Sequence, residues 1–199
     1  MNLESAFVSG GTRGIGKAIA LRFARNGAAR VAVGYMRNDS AATGVIRPAL
    51  ETEEKHWDWT LSANARALIS LAQAAAPQMK PGSTIIGISS LGAQRVLENY
   101  VLVGASKAAL ESVIRYLAVE LAPRGIRVNG VSGGVVETGA LEHFPNKEQM
   151  LSWSAKRTPA GRLVEPDDIA AAVEFLCSPG ADMIRGQTVI VDGGFSLLA

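Results

Sequence analysis

Four glycines fall within the seven residues Gly10-Gly11-Thr12-Arg13-Gly14-Ile15-Gly16. The run follows a short β-favouring stretch, Ser5 to Ser9, and opens directly into a helical pattern. Glycine lets the backbone turn sharply between strand and helix and leaves no Cβ in the way of a close ligand. The first N–H groups of a helix lack internal partners, and the helix dipole favours negative charge beside them. The run reads as a phosphate cradle formed by Gly10, Thr12, Arg13, Gly14, Ile15 and Gly16. Taken alone, such a run is also compatible with an ordinary strand-to-helix turn.

Beyond this turn, short apolar runs alternate with longer Ala-rich helical patterns. Strands are expected at Ser5 to Ser9, Arg30 to Tyr35, Ser83 to Ser89, Ile126 to Ser132 and Thr188 to Val191. Helices are expected at Gly14 to Asn26, Glu53 to Gln78, Gly104 to Ala122 and Asp167 to Cys177. Such alternation gives an α/β fold, a Rossmann-like doubly wound parallel sheet with helices on both faces. A chain of 199 residues is expected to form a single domain over 1–199. Glu137 to Arg162 shows no clear period and reads as a candidate lid over a site.

Composition narrows the function classes. Lys and Arg number 20 against 18 Asp and Glu, so no strong field points to nucleic acid or an anionic membrane as partner. The lone Cys177 reads as a small core residue in a reducing compartment. Neither a leader nor an apolar run of roughly 18 to 20 residues is evident, and a cytoplasmic protein is expected. His56, Trp57, Asp58 and Trp59 lie close together without a second His or Cys at ligand spacing, so no metal site is expected. The Trp residues are read as packing in a core or subunit contact, and His143 as an exposed loop residue.

Where a carboxylate would meet the ribose hydroxyl of NAD, after the second strand, the chain has Gly34-Tyr35-Met36-Arg37. Arg37 and Arg13 suit a 2′-phosphate, which makes NADPH the expected cofactor. Ligands of open α/β sheets bind outside the carboxyl ends of strands, which places Ser89 and Ser90 near a site. Tyr100 lies seven residues before Lys107; in a helix that includes both, they share a face. A neighbouring ammonium is expected to lower the phenol pKa and make Tyr100 a usable proton donor. The bland alternative is a packed Tyr and a surface Lys.

The Gly-x-x-x-Gly-x-Gly turn, Ser106-Lys107-Ala108-Ala109, Arg127-Val128-Asn129 and Val191-Asp192-Gly193-Gly194 resemble short-chain dehydrogenase/reductases over nearly the whole chain. Most of that family has Tyr four residues before Lys, a position held here by Val103. The wider Tyr100–Lys107 spacing, with Leu91-Gly92-Ala93-Gln94-Arg95 and Glu98-Asn99-Tyr100, is similar to enoyl-acyl-carrier-protein reductases. His56-Trp57-Asp58-Trp59, Glu142-His143-Phe144-Pro145-Asn146 and Ala181 to Gln187 resemble the NADPH-dependent enoyl reductase III, or FabL, type. The resemblance implies an enoyl thioester on acyl carrier protein as substrate, with Tyr100 holding the enolate oxygen and Lys107 the nicotinamide ribose. It also implies Ser90 beside the substrate, Asn64 supporting the helix and a water path, and Gly134, Val136 and Thr138 touching the cofactor. A homo-oligomer, dimer or tetramer, built on the Ala-rich helices is implied too.

Against that family, roughly fifty residues are missing between about Asp39 and Thr43, including a strand expected in the middle of the sheet. Such a gap should leave ladder groups unpaired and apolar faces exposed. Omission of residues from the sequence, a true deletion with rearranged strands, and a nonfunctional relic are the explanations. Another reductase acting on a carbonyl, and a catalytically silent binding or scaffold protein, are the alternative functions.

Overall fold

The computed structural model describes residues 4–34, 46–137 and 147–198. In chain order the main elements are β1 (Ser5–Ser9), α1 (Gly14–Arg25), β2 (Arg30–Gly34), α2 (Glu54–Leu61), α3 (Ala67–Ala75), β3 (Thr84–Ser90), α4 (Val101–Leu121), β4 (Arg127–Gly133), α5 (Lys147–Arg157), α6 (Pro166–Cys177) and β5 (Thr188–Val191). The fold is α/β and Rossmann-like: β1 pairs with β2, and β3 with β4, in parallel. The chain divides into two units. The first holds Met1–Asn38, Gly134–Ala181 and Val191–Ala199, the second Asp39–Gly133 and Asp182–Ile190.

The described strands form two sheets, β1-β2 and β3-β4-β5, where the doubly wound expectation was one. Among the described residues β1 has β2 as its only strand neighbour, and β3 has only β4. Phe7 is 60% and Val33 47% exposed, whereas strands of an all-parallel sheet are normally covered on both faces.

In the first unit α1 packs on α6. Arg22 donates from Nε to Glu174 Oε2 at 2.6 Å and from Nη1 to Asp167 Oδ2 at 2.9 Å. Pro166 occupies the first turn of α6, where its missing N–H costs nothing, and Glu165 and Asp168 form a capping box. The region read as a lid without period contains α5. Its polar residues hide an apolar stripe, but Glu148 in the first turn and Lys156 and Arg157 in the last match the helix dipole.

In the second unit β4 is buried throughout, as a middle strand should be. α4 reaches it closely because Gly87 and Gly130, opposite each other in the β3–β4 register, have no side chains. A Cβ on either would lie 2.9 Å from Ile114 Cδ1. Ile114 thereby joins Leu110, Ala118, Val128, Ala65 and Leu68 in one core. Gly130→Val is expected to lower stability by about 1–3 kcal/mol through overpacking, because its Cβ would also lie 2.7 Å from Thr188 Oγ1. Urea unfolding measures the loss. His56 is buried and serves as a cap: the Glu53 N–H donates to its Nδ1 at 3.1 Å.

Candidate active site

The second unit carries Asn64, Ser90, Tyr100 and Lys107. β3 ends at Ser90, and a short 3-10 turn, Leu91–Ala93, follows it. Tyr100 is the N-cap of α4 and not a residue of its first turn, so the expected two-turn helical pairing with Lys107 gives way to a different geometry. The Tyr100 carbonyl accepts from the Gly104 N–H at 2.8 Å, and its hydroxyl lies 3.5 Å from Ser90 Oγ. Gly92 makes room for the ring: a Cβ there would fall 2.5 Å from Tyr100 Cε1.

Lys107 is half-buried and not a surface charge, and its Nζ donates to the Ile88 carbonyl at 2.7 Å. Burial pushes its pKa down from 10.5 to about 8. The expectation of a lowered phenol pKa at Tyr100 is corrected. Burial raises it, and the hydrogen bond with Ser90 only partly opposes that. Withdrawal of a phenol from water disfavours phenolate, so Tyr100 stays protonated at neutral pH and able to donate.

Asn64 lies in a single π-helical turn, Ser62–Arg66, that joins α2 to α3. Such bulges recur at functional sites because they re-aim a side chain. Its Nδ2 donates to Ser106 Oγ at 2.8 Å, and Ser106 precedes Lys107. Sequence reasoning missed two contributors. Arg47 donates its backbone N–H to the Asn99 carbonyl at 2.8 Å and walls the cleft in which Tyr100 lies. Buried Glu111 accepts from Ser89 Oγ at 2.6 Å and from Gln94 Nε2 at 3.2 Å. A carboxylate one turn after Lys107, on an otherwise apolar and Ala-rich face, was the available signal.

The cleft measures about 490 Å³ and is mainly apolar, lined by Gly92, Ala93, Val96, Leu97 and Tyr100 with Arg47 and Arg95. Gly92→Ala is expected to displace the Tyr100 ring and lower kcat by about 10- to 100-fold without weakening cofactor binding. Steady-state kinetics beside a cofactor titration checks this.

In the first unit the glycine turn fits the pyrophosphate of a dinucleotide. Gly10 takes φ +71°, and a Cβ on Gly16 would lie 2.3 Å from the Gly10 carbonyl oxygen. Arg13 is the N-cap of α1 but makes no side-chain capping bond, and no acid occupies the first turn. The helix donors therefore face a place suited to an anion. Thr12 and Arg13 are exposed, and Gly14, Ile15 and Gly16 partly buried. Gly134 donates its N–H to the Val191 carbonyl at 2.9 Å, and buried Val136 bridges to Val164. Arg37, Thr138 and His143 lie outside the described residues.

Residues 38–196 match the family model described as Enoyl-(Acyl carrier protein) reductase. The chain belongs to this family of short-chain dehydrogenase/reductases. Over 162 residues it is 38% identical to 1-cyclohexenylcarbonyl-CoA reductase of Streptomyces collinus, covering 80% of this chain and 58% of that one. Over 133 residues it is 38% identical to the NADH-dependent enoyl-acyl-carrier-protein reductase FabI of Escherichia coli K12, covering 67% of this chain and 51% of that one. The chain thus spans little more than half the length of these curated relatives. A protein from Beutenbergia cavernae, described as an NAD(P)-dependent gluconate 5-dehydrogenase and solved with NADP at low occupancy, superposes with a TM-score of 0.85. That match has 27% identity and covers 100% of this chain and 98% of the other. Among the described residues no helix is long and apolar enough to cross a membrane.

Proposed function

We propose that the chain reduces the 2,3 double bond of enoyl thioesters carried on acyl carrier protein, using NADPH, in cytoplasmic fatty-acid synthesis. The observation that carries this reading is the protonated Tyr100 hydroxyl, beside Ser90, in the wall of an apolar cleft. An acyl chain suits such a cleft, and the thioester oxygen suits the phenol. When bound, NADPH would supply a hydride to the β-carbon. As the C–H bond forms, the π electrons of the double bond move toward the thioester oxygen. Tyr100 donates a hydrogen bond to that oxygen and stabilises the charge that develops there. The α-carbon then takes a proton delivered from water.

Lys107 presents a cation that suits the nicotinamide ribose, while Asn64 holds Ser106 and with it the neighbouring lysine. The preference for NADPH rests on Arg13 and Arg37 and on the stretch Gly34-Tyr35-Met36-Arg37, which puts no acid directly at the end of β2; the FabI relatives are named for NADH. Thr138, Gly134 and Val136 complete the cofactor contacts in this reading. Trp59, Tyr116 and Val119 are exposed apolar side chains on α2 and α4, and a second copy of the chain is the partner that covers them. Sedimentation then reads a dimer or tetramer.

The deciding experiment follows NADPH oxidation with crotonyl and acetoacetyl thioesters in parallel. Turnover of the crotonyl thioester supports the reading. Turnover confined to the acetoacetyl thioester replaces it with carbonyl reduction, and cofactor binding without turnover of either makes the chain a binding protein. Intact mass of the same sample shows whether the sequence as given is the whole chain.

A further inference from the structure

The 3-10 turn between Ser90 and Gln94 lies against Tyr100 and the start of α4 in the second unit. Ser90 begins it and approaches the Tyr100 hydroxyl. Gly92 lies against the Tyr100 ring, and its carbonyl oxygen lies so close to Gly104 that a Cβ there would be 2.7 Å away. Backbone bonds close the turn on itself, with Gln94 and Arg95 N–H groups both donating to the Leu91 carbonyl. Those local bonds do not tie it to α4. The side chains that do so from its two flanks are Ser89 and Gln94, and both donate to Glu111, a buried carboxylate on the helix that also carries Lys107.

A buried carboxylate is costly to desolvate unless donors satisfy it. Once satisfied by two donors, it fixes both of them in place. Ser89 Oγ at 2.6 Å is a short contact of this kind. We propose that Glu111 is a positioning residue that clamps both flanks of the Ser90–Ala93 turn to α4, and so sets where the Ser90 and Tyr100 hydroxyls meet the substrate. It touches neither substrate nor cofactor, and acts through Ser89 and Gln94. The inference rests on the reductase reading of this cleft.

The test compares Glu111→Gln, Glu111→Leu and Gln94→Ala by kcat and KM for crotonyl thioester with NADPH, and by amide hydrogen exchange over residues 90–95. In Glu111→Leu, kcat falls by about 10- to 100-fold at a KM for NADPH within about twofold of the parent, and exchange in the turn accelerates. Glu111→Gln keeps an acceptor for Ser89 and, once the Gln94 amide rotates, a donor for its oxygen, so it stays within about threefold of the parent in both readouts. Gln94→Ala keeps the Ser89 bond and loses about three- to tenfold in kcat alone.

Unchanged kcat in Glu111→Leu and Gln94→Ala overturns the proposal, as does a Gln variant as impaired as the Leu variant. Where Glu111→Leu does not fold, Gln94→Ala decides on the same kcat criterion. A parent protein inactive on the thioester removes the reductase reading. Exchange then decides the clamp by itself: acceleration in Glu111→Leu or Gln94→Ala supports it, and unaltered exchange in both overturns it.

Discussion

Exchange of Tyr100 for phenylalanine is expected to lower kcat for an enoyl thioester by about 10²- to 10⁴-fold, the range of a lost acid–base or hydrogen-bonding group. The affinity for NADPH is expected to stay within about threefold, since the glycine turn is untouched. Phenylalanine keeps the ring that lies against Gly92 and removes the hydroxyl 3.5 Å from Ser90 Oγ. The fold should therefore persist, with the melting temperature changed by no more than a few degrees. The effect belongs in kcat and not in KM, because the phenol interacts most strongly with charge that exists only in the transition state. The raised pKa of Tyr100 adds a second expectation: its hydroxyl is harder to ionise than that of an ordinary tyrosine, so the activity shows no alkaline gain from phenolate formation. Equal kcat in Tyr100→Phe and the parent removes Tyr100 from the chemistry.

How far this architecture was legible in the sequence differs from residue to residue. β1 and β5 end where the apolar runs end. β4 begins one residue late because the Ile126 N–H is already engaged, closing the end of α4 on the Leu121 carbonyl. α4 begins at Val101, ahead of the expected Gly104, since that glycine is a point of close approach for the Gly92 carbonyl and not a helix boundary. The glycine turn was readable because its physics is local. The chemistry of the Tyr100 and Lys107 pair was not, since burial depends on what folds over a residue and sets the direction of both pKa shifts. Glu111 was hidden for a related reason. A carboxylate on a helix is usually solvated, and its donors come from a strand and a turn far away in sequence.

The pH dependence of stability isolates Lys107. In the folded protein its pKa is about 8 against an ordinary 10.5, so the unfolded chain binds more protons between those two values. Stability from this group therefore rises as pH climbs from about 8 to about 10.5. Below pH 8 the ammonium is charged in both states and the cost of its burial is fully present; above 10.5 it is neutral in both, and that cost is gone. The two pKa values set an upper limit of roughly 3 kcal/mol. A half-buried side chain that keeps part of its hydration and a bond to the Ile88 carbonyl is expected to show about 1–2 kcal/mol of it. Lys107→Met removes the charge while filling the same space. At pH 7 it is expected to raise stability by that amount, and the advantage over the parent shrinks to nothing, or reverses through the lost Ile88 bond, by about pH 10.5. Melting curves of both proteins across this range check the sign, and parallel pH dependences contradict it. Activity should move the other way, with turnover of the enoyl thioester falling by about 10²-fold or more in the Met variant. A group that weakens the fold at neutral pH and is required for turnover there is retained for its charge, the signature of a functional cation and not of a packing residue.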